Sequence, residues 1–239
     1  NHMNYFHGHL LPSSGYLTTF DLERFNGGMF LRLPSEHNSG QLRDFVVQEK
    51  LFEVFQEHKE WAEILKVPDV GSLNSFIRQG QGGEIIKISE ALHEKKIAGI
   101  ASAIADQQPR PKLIMIAGPS SSGKTTFSKR LAVQLAVCGI RSHAISLDNY
   151  FVDREHTPLD ENGNYDFEAL EAIDLVFFNN QLKQIIAGEA VELPKFDFHT
   201  GNRFFDGEIA QLDGNQVLII EGIHALNPDL MPEIDKKYT

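Results

Sequence analysis

The protein has 239 residues, 41% of them hydrophobic and 23% charged, and 22 basic against 33 acidic side chains give a net charge of -11. That length allows one large domain or two small ones with real cores, and the composition is that of a folded chain, not a disordered one. The acidity opposes general binding to polyanionic nucleic acid, no apolar run approaches the roughly 20 residues of a membrane helix, and the start lacks the pattern of a secretory leader.

Asn1-His2-Met3 reads as a cloning remnant. His7 and His9 form half of a metal site at most, because no carboxylate or thiol cluster nearby supplies further ligands. Leu10 to Leu33 mixes apolar residues with Pro12, Gly15 and Gly27-Gly28, which predicts short strands and turns. Leu42, Phe45, Val46, Phe52 and Phe55 then recur near helical spacing between Gln41 and about Lys66. Ser72 offers a cap for a short helix to Gln79, and Glu84 to Ala105 predicts a longer helix with Ile88, Ala91, Leu92 and Ala98 on its inner face. Phe45, Phe52, Phe55 and Trp61 read as core or interface residues. Two prolines in Gln107-Gln108-Pro109-Arg110-Pro111 break the periodicity, so the reading divides the chain into a smaller α+β domain, 1–108, and a second domain, 109–239.

The second half carries most of the acidity, with 11 basic and 19 acidic residues from 112 onward against 11 and 14 before. Lys112 to Ala117 predicts a strand, Lys124 to Val137 a helix closed by Gly139, and Arg141 to Leu147 a second strand, which together make a βαβ unit. Asp166 to Gly188 reads as helical, with Asp174 able to cap a second segment, and Val217 to Ile220 as a buried strand. Apolar strands without alternation suit a parallel sheet covered on both faces. The fold class is therefore α/β, a P-loop NTPase-type parallel sheet with flanking helices, preceded by the α+β domain. Cys138, the one cysteine, cannot form an internal disulfide, and a reduced thiol fits a cytoplasmic location.

Gly118-Pro119-Ser120-Ser121-Ser122-Gly123-Lys124-Thr125 matches G-x-x-x-x-G-K-[ST] at every fixed position, between a strand and a helix as the motif requires. Its glycines let backbone amides turn inward on phosphate oxygens, and the helix adds the positive end of its dipole. Gly118, Ser120, Ser121, Ser122, Gly123, Lys124, Thr125 and Thr126 are the expected nucleotide contacts. Lys124 is expected to bridge the β- and γ-phosphates and Thr125 to ligate Mg²⁺. Glu221, after the strand Val217–Ile220, supplies the second half of the metal site, the expected carboxylate that holds Mg²⁺ directly or through water. A P-loop alone specifies a nucleotide and no chemistry. The guanine-reading N-K-x-D and the transporter string L-S-G-G-Q do not occur, which leaves a small-molecule kinase. Asp148, just past the second strand, would emerge at the same sheet edge and is the candidate base, with a further role near the metal.

GPSSSGKTT, SLDNYF, YDF, LPKFDFHTGNR and VLIIEGIHALN occur in the order seen in the uridine kinase and phosphoribulokinase family, which residues 112 to 230 resemble. The whole chain is similar to bacterial nucleoside kinase-like proteins whose N-terminal segment resembles the accessory region of threonyl-tRNA synthetase. The resemblance implies that Asp148 is the base, that Tyr150 lies near the acceptor, and that Asp166 holds a ribose hydroxyl with Tyr165 beside it. It also implies that Phe196 packs on a base and that Arg203 closes the acceptor motif. Gly201 stands where uridine kinases carry the histidine that reads the pyrimidine edge, Asn202 replaces a serine, and His199 lies two positions early. The family's lid arginines fall beyond Thr239, so the polypeptide is expected to bind nucleotide but to turn over poorly.

The resemblance thus implies an enzyme that uses ATP, with GTP as the alternative, and Mg²⁺ to phosphorylate the 5′-hydroxyl of a uridine- or cytidine-like nucleoside. The alternatives are a kinase of another sugar or small alcohol, and a nucleotide-sensing regulator that contacts RNA through its first domain. A small-molecule acceptor is the expected partner, homo-oligomerisation is open, and no membrane association is expected.

Overall fold

The computed structural model describes residues 9–25, 28–35, 38–42, 44, 46, 48–235 and 238. The chain divides into two compact units, Asn1–Ser75 and Phe76–Thr239. In the first, β1 (Asp21–Phe25) pairs antiparallel with β2 (Gly28–Arg32), and β3 (Pro34–Ser35) with β4 (Asn38–Leu42). The helix expected from Gln41 starts later, as α1 (Glu49–Leu65), because residues 38–42 are held in a strand. Lys66 ends it in a left-handed conformation whose N–H reaches the Ala62 and Glu63 carbonyls. Phe25 meets Phe52 edge to face at 5.1 Å, yet no described residue of this unit is buried and Phe55, expected as core or interface, is 64% exposed. His7, Gly27 and Phe45 lie outside the described residues. The α+β character expected of this segment is present.

The helix α2 (Val70–Arg78) is capped from Asp69, whose carboxylate accepts from the Ser72 N–H at 2.8 Å, so the cap lies three residues before the expected serine. Beyond it come α3 (Gly82–Asp106), β5 (Leu113–Ala117), α4 (Lys124–Val137), β6 (Arg141–Ser146), α5 (Leu175–Ile186), β7 (Val191–Asp197), β8 (Asn202–Ala210) and β9 (Gln216–Gly222). Ile97 and Ala101 of α3 are buried with Leu131 and Leu135 of α4. Glu94 of α3 accepts from Arg130 at 2.5 Å and Gln134 at 2.9 Å. α3 therefore packs as part of the second unit, although the proline break had placed it with the first domain.

The sheet β5-β9-β6 is parallel, with the last strand of the chain in the middle. Val217 and Ile219 pack with α3 and α4, while Leu218 and Ile220 pack with Phe178, Leu182 and Ile185 of α5. An unbroken apolar run is what a strand buried on both faces requires. The antiparallel pair β7-β8 was not expected, because a register shift between Glu192 and Pro194 breaks the alternation by which a strand is read. Residues 166–174 also differ from the helix expected there. Asp166 caps a turn, Ile173 bridges to Phe151, and α5 begins only after Asp174, whose side chain accepts from the Phe177 N–H. Among the described residues no helix is long and apolar enough to cross a membrane.

Candidate active site

The parallel register sets the site. Glu221 of the central strand lies level with Ile116 of β5 and Ser146 of β6, so three neighbouring strands deliver their carboxyl-terminal loops to one edge. From β5 comes the loop 118–123. A Cβ on Gly118 would lie 2.8 Å from the Ser122 Oγ and 3.3 Å from the Lys124 Cγ, so only glycine lets the loop close this tightly. Ser121 (φ 59°) and Gly123 (φ 86°) are left-handed, which turns the chain into α4. The Lys124 Nζ donates to the Pro119 carbonyl at 2.9 Å, a reach that keeps the ammonium over the loop.

The Thr125 hydroxyl donates to Glu221 Oε1 at 2.7 Å, joining the start of α4 to the end of β9 across 96 residues of sequence. Glu221 is buried. Asp148 follows β6 in a short 3-10 turn, its side chain open to the cleft but ringed by protein. Desolvation pushes its carboxyl above the usual range, Glu221's negative charge pushes the same way, and Lys124 opposes both. Thr125, Glu221 and Asp148 offer hard oxygen donors with two carboxylates, a set that fits Mg²⁺, which usually takes one or two carboxylates plus phosphate and water. Among the described residues no larger His, Cys, Asp or Glu group suits a metal, His9 included.

These residues line one cleft of about 590 Å³, the loop residues 120–125 forming one wall. Phe151, Phe167, Glu168, Phe198 and Ile223 form the other. Of these, Phe151, Phe167, Phe198 and Ile223 sit inside the motif strings, where their apolar character reads as packing. Glu168 carries no sequence signal, since only the turn at 166–170 brings it here. Gly118 closes the base of the loop, and Thr126 is exposed on α4 outside the cleft lining.

The expected acceptor contacts divide differently. Tyr150 is buried in the core, its hydroxyl donating to Gln181 Oε1 at 2.9 Å, so it supports the cleft from behind. Phe196 is also buried, packed against Phe151 and Phe198 at 5.7 and 5.1 Å. Arg203 is tied to Asp174 at 3.1 Å and to the Phe151 carbonyl at 3.0 Å, which leaves it holding α5 to the 150–152 segment. Asp166 uses Oδ1 to accept from the Glu168 and Ala169 amides, and Tyr165, half exposed, leans on Phe167. Tyr150, Phe196 and Arg203 are thus buried or tied by internal hydrogen bonds and stand behind the residues that line the cleft. At Gly201 (φ 74°) a Cβ would come within 2.8 Å of the Arg154 Cβ and 2.9 Å of its Nε. Arg154 fills that place, donating to the Phe198 and His199 carbonyls. A histidine cannot stand there without displacing it.

A phosphate-cradling loop between a parallel strand and a helix, with a threonine hydroxyl and an acid from the neighbouring strand beside it, defines the class: a P-loop NTPase-type fold. Residues 113–230 match the model of the phosphoribulokinase / uridine kinase family, and the second unit of this chain belongs to that family. The match includes none of the first unit. Similar curated relatives include a uridine kinase from Chloroflexus aggregans, 34% identical over 116 residues, covering 48% of this chain and 54% of that one. Another is a uridine kinase from Ligilactobacillus salivarius, 27% identical over 134 residues, covering 55% and 60%. The chain thus spans little more than half the length of these relatives. A solved structure described as a possible uridine kinase from Bacillus stearothermophilus is similar with a TM-score of 0.49 and 24% identity, over 59% of this chain and 77% of that one.

Proposed function

We propose that the second unit is an ATP-dependent, Mg²⁺-requiring kinase that works in the cytoplasm and transfers the γ-phosphoryl group to a primary hydroxyl of a nucleoside or similar small polyol. The observation that carries this reading is the convergence, in one cleft, of the phosphate loop, the Thr125–Glu221 hydrogen bond of 2.7 Å and the Asp148 carboxylate. Loop amides and Lys124 hold the triphosphate. Bound Mg²⁺ would supply charge neutralisation for the transferring group, held by Thr125, Glu221 and Asp148. Asp148 takes the proton of the acceptor hydroxyl as that oxygen bonds to phosphorus and the bond from phosphorus to the departing ADP oxygen breaks. The raised pKa of Asp148 suits a base, which works best near the ambient pH. The family match and the names of the relatives support a phosphotransferase, and the uridine kinases among them support a nucleoside acceptor.

The test compares two variants. Lys124→Ala abolishes tight binding of ATP measured by calorimetry with Mg²⁺ present. Asp148→Asn keeps that binding and lowers turnover on a nucleoside panel by about 10²-fold or more. Equal loss of ATP binding in both variants would overturn this division of roles.

A further inference from the structure

The acceptor side of the cleft has a polarity of its own. Among the described residues, its lining beyond the phosphate loop comprises Asp148, Glu221, Glu168, Ile223 and the rings of Phe151, Phe167 and Phe198, and contributes no cation. The arginines nearest in sequence to this wall are engaged elsewhere, Arg154 with the Phe198 and His199 carbonyls and Arg203 with Asp174. Among the described residues, Lys124, on the loop, is the one ammonium that lines the cleft.

Glu168 is held in place by its backbone. Its N–H donates to Asp166 Oδ1 at 2.9 Å. Its carbonyl lies 2.8 Å from the His224 Nε2, and since a carbonyl only accepts, that nitrogen carries the proton. Two fixed main-chain bonds, one from the 166–169 turn and one from the loop leaving β9, set this residue on the cleft wall while its carboxylate has no partner among the described residues. The carboxylate of Asp166, to which the ribose contact was assigned, already has one oxygen in that same turn.

Resting on the kinase reading above, we propose that Glu168 is the acceptor-binding residue and that the acceptor is neutral: a nucleoside or unphosphorylated sugar whose hydroxyls donate to the Glu168 carboxylate while its flat, less polar face lies against Phe151, Phe167 and Phe198. A carboxylate accepts and cannot donate, so it selects for hydroxyl or amine groups. A sugar phosphate or sugar acid would bring a further negative charge toward three carboxylates with, among the described residues, only the phosphate-engaged Lys124 to offset it. The aromatic rings add a stacking surface without charge.

The experiment measures binding to the full chain loaded with Mg²⁺ and the non-hydrolysable analogue adenylyl imidodiphosphate. Uridine, cytidine, ribose and fructose serve as neutral probes, and ribose 5-phosphate and glycerate as anionic ones. At least one neutral probe binds and the anionic ones do not. Glu168→Ala weakens the neutral probe by roughly tenfold to a hundredfold, the range for a hydrogen bond to a charged group. Glu168→Gln, which keeps an accepting oxygen, loses less, and affinity for the analogue is unchanged in both. Binding of glycerate or ribose 5-phosphate as tight as any neutral probe overturns the inference. So does unaltered neutral-probe binding in Glu168→Ala, or no neutral binding by the analogue-loaded protein. Failure of the analogue itself to bind overturns instead the kinase reading on which the inference rests.

Discussion

Gly222→Ala tests how closely the base-bearing turn is packed against the central strand. Gly222 follows Glu221 and pairs with Ala117, and a Cβ placed on it would lie 2.7 Å from the Cβ and Cδ1 of Leu147 and 3.0 Å from its Cγ. Carbon atoms pack at roughly 3.5–4.0 Å, so Leu147 would have to retreat by about 1 Å. It cannot do so freely, because it is 1% exposed and packed among Ile145, Leu218 and Ile220. Gly222 is absent from the positive-φ glycines, so the cost is steric, about 1–3 kcal/mol for overpacking a dense core. For a chain of this size that lowers the melting temperature by about 2–12 °C. Leu147 immediately precedes Asp148, and a 1 Å displacement of a reacting group can cost about 10²-fold in rate. Thermal melts and steady-state turnover are the assays, with Gly207→Ala as the control. Gly207 has φ 87° and open space around its Cα, so alanine there pays only backbone strain and leaves turnover alone. A Gly222→Ala protein that melts and turns over like the wild type would refute the close-packing argument.

Asp148→Asn should stabilise the metal-free protein. The folded-state pKa of Asp148 is raised, so its proton favours the fold below the unfolded value, and that contribution is lost as pH rises through the raised folded value. The urea midpoint of the wild type should therefore fall relative to the variant across that window, and parallel midpoints would contradict it. Arg203→Met removes the partner of Asp174, the Phe151 carbonyl bond and the cation packed 4.4 Å from the Phe177 ring. The loss expected is about 1.5–3 kcal/mol in denaturant unfolding, the range for hydrogen bonds to a charged group, because Asp174 is part-exposed and keeps the Phe177 N–H, and a loss under 1 kcal/mol would show that water replaces the arginine at Asp174 in the variant. Tyr150→Phe leaves Gln181 Oε1 without its donor inside the core and should cost about 1–3 kcal/mol by the same measurement, with ATP affinity unchanged.

The phosphate loop and the strand ending in Glu221 could be read from the amino acids alone, because each depends on local chemistry. Glycine tolerates backbone that other residues resist, Lys124 and Thr125 follow at a fixed helical offset, and a doubly buried strand must be apolar throughout. The β7-β8 pair does not show in the sequence because its bulge breaks the period of two, and residues 166–173 leave the expected helix because they are drawn into turns and a bridge, while the cap expected at Asp174 does start α5. Which polar residues face the cleft was decided by tertiary structure. A tyrosine at 150, a phenylalanine at 196 and an arginine at 203 look like ligand contacts in a motif string, yet the fold buries or pairs all three. Glu168, which no motif marks, is held on the cleft wall by its own N–H donating to Asp166 and its carbonyl accepting from His224. Motif spacing records what the backbone can do within a few residues. The facing of a side chain depends on partners tens of residues away, and only the folded chain brings those together.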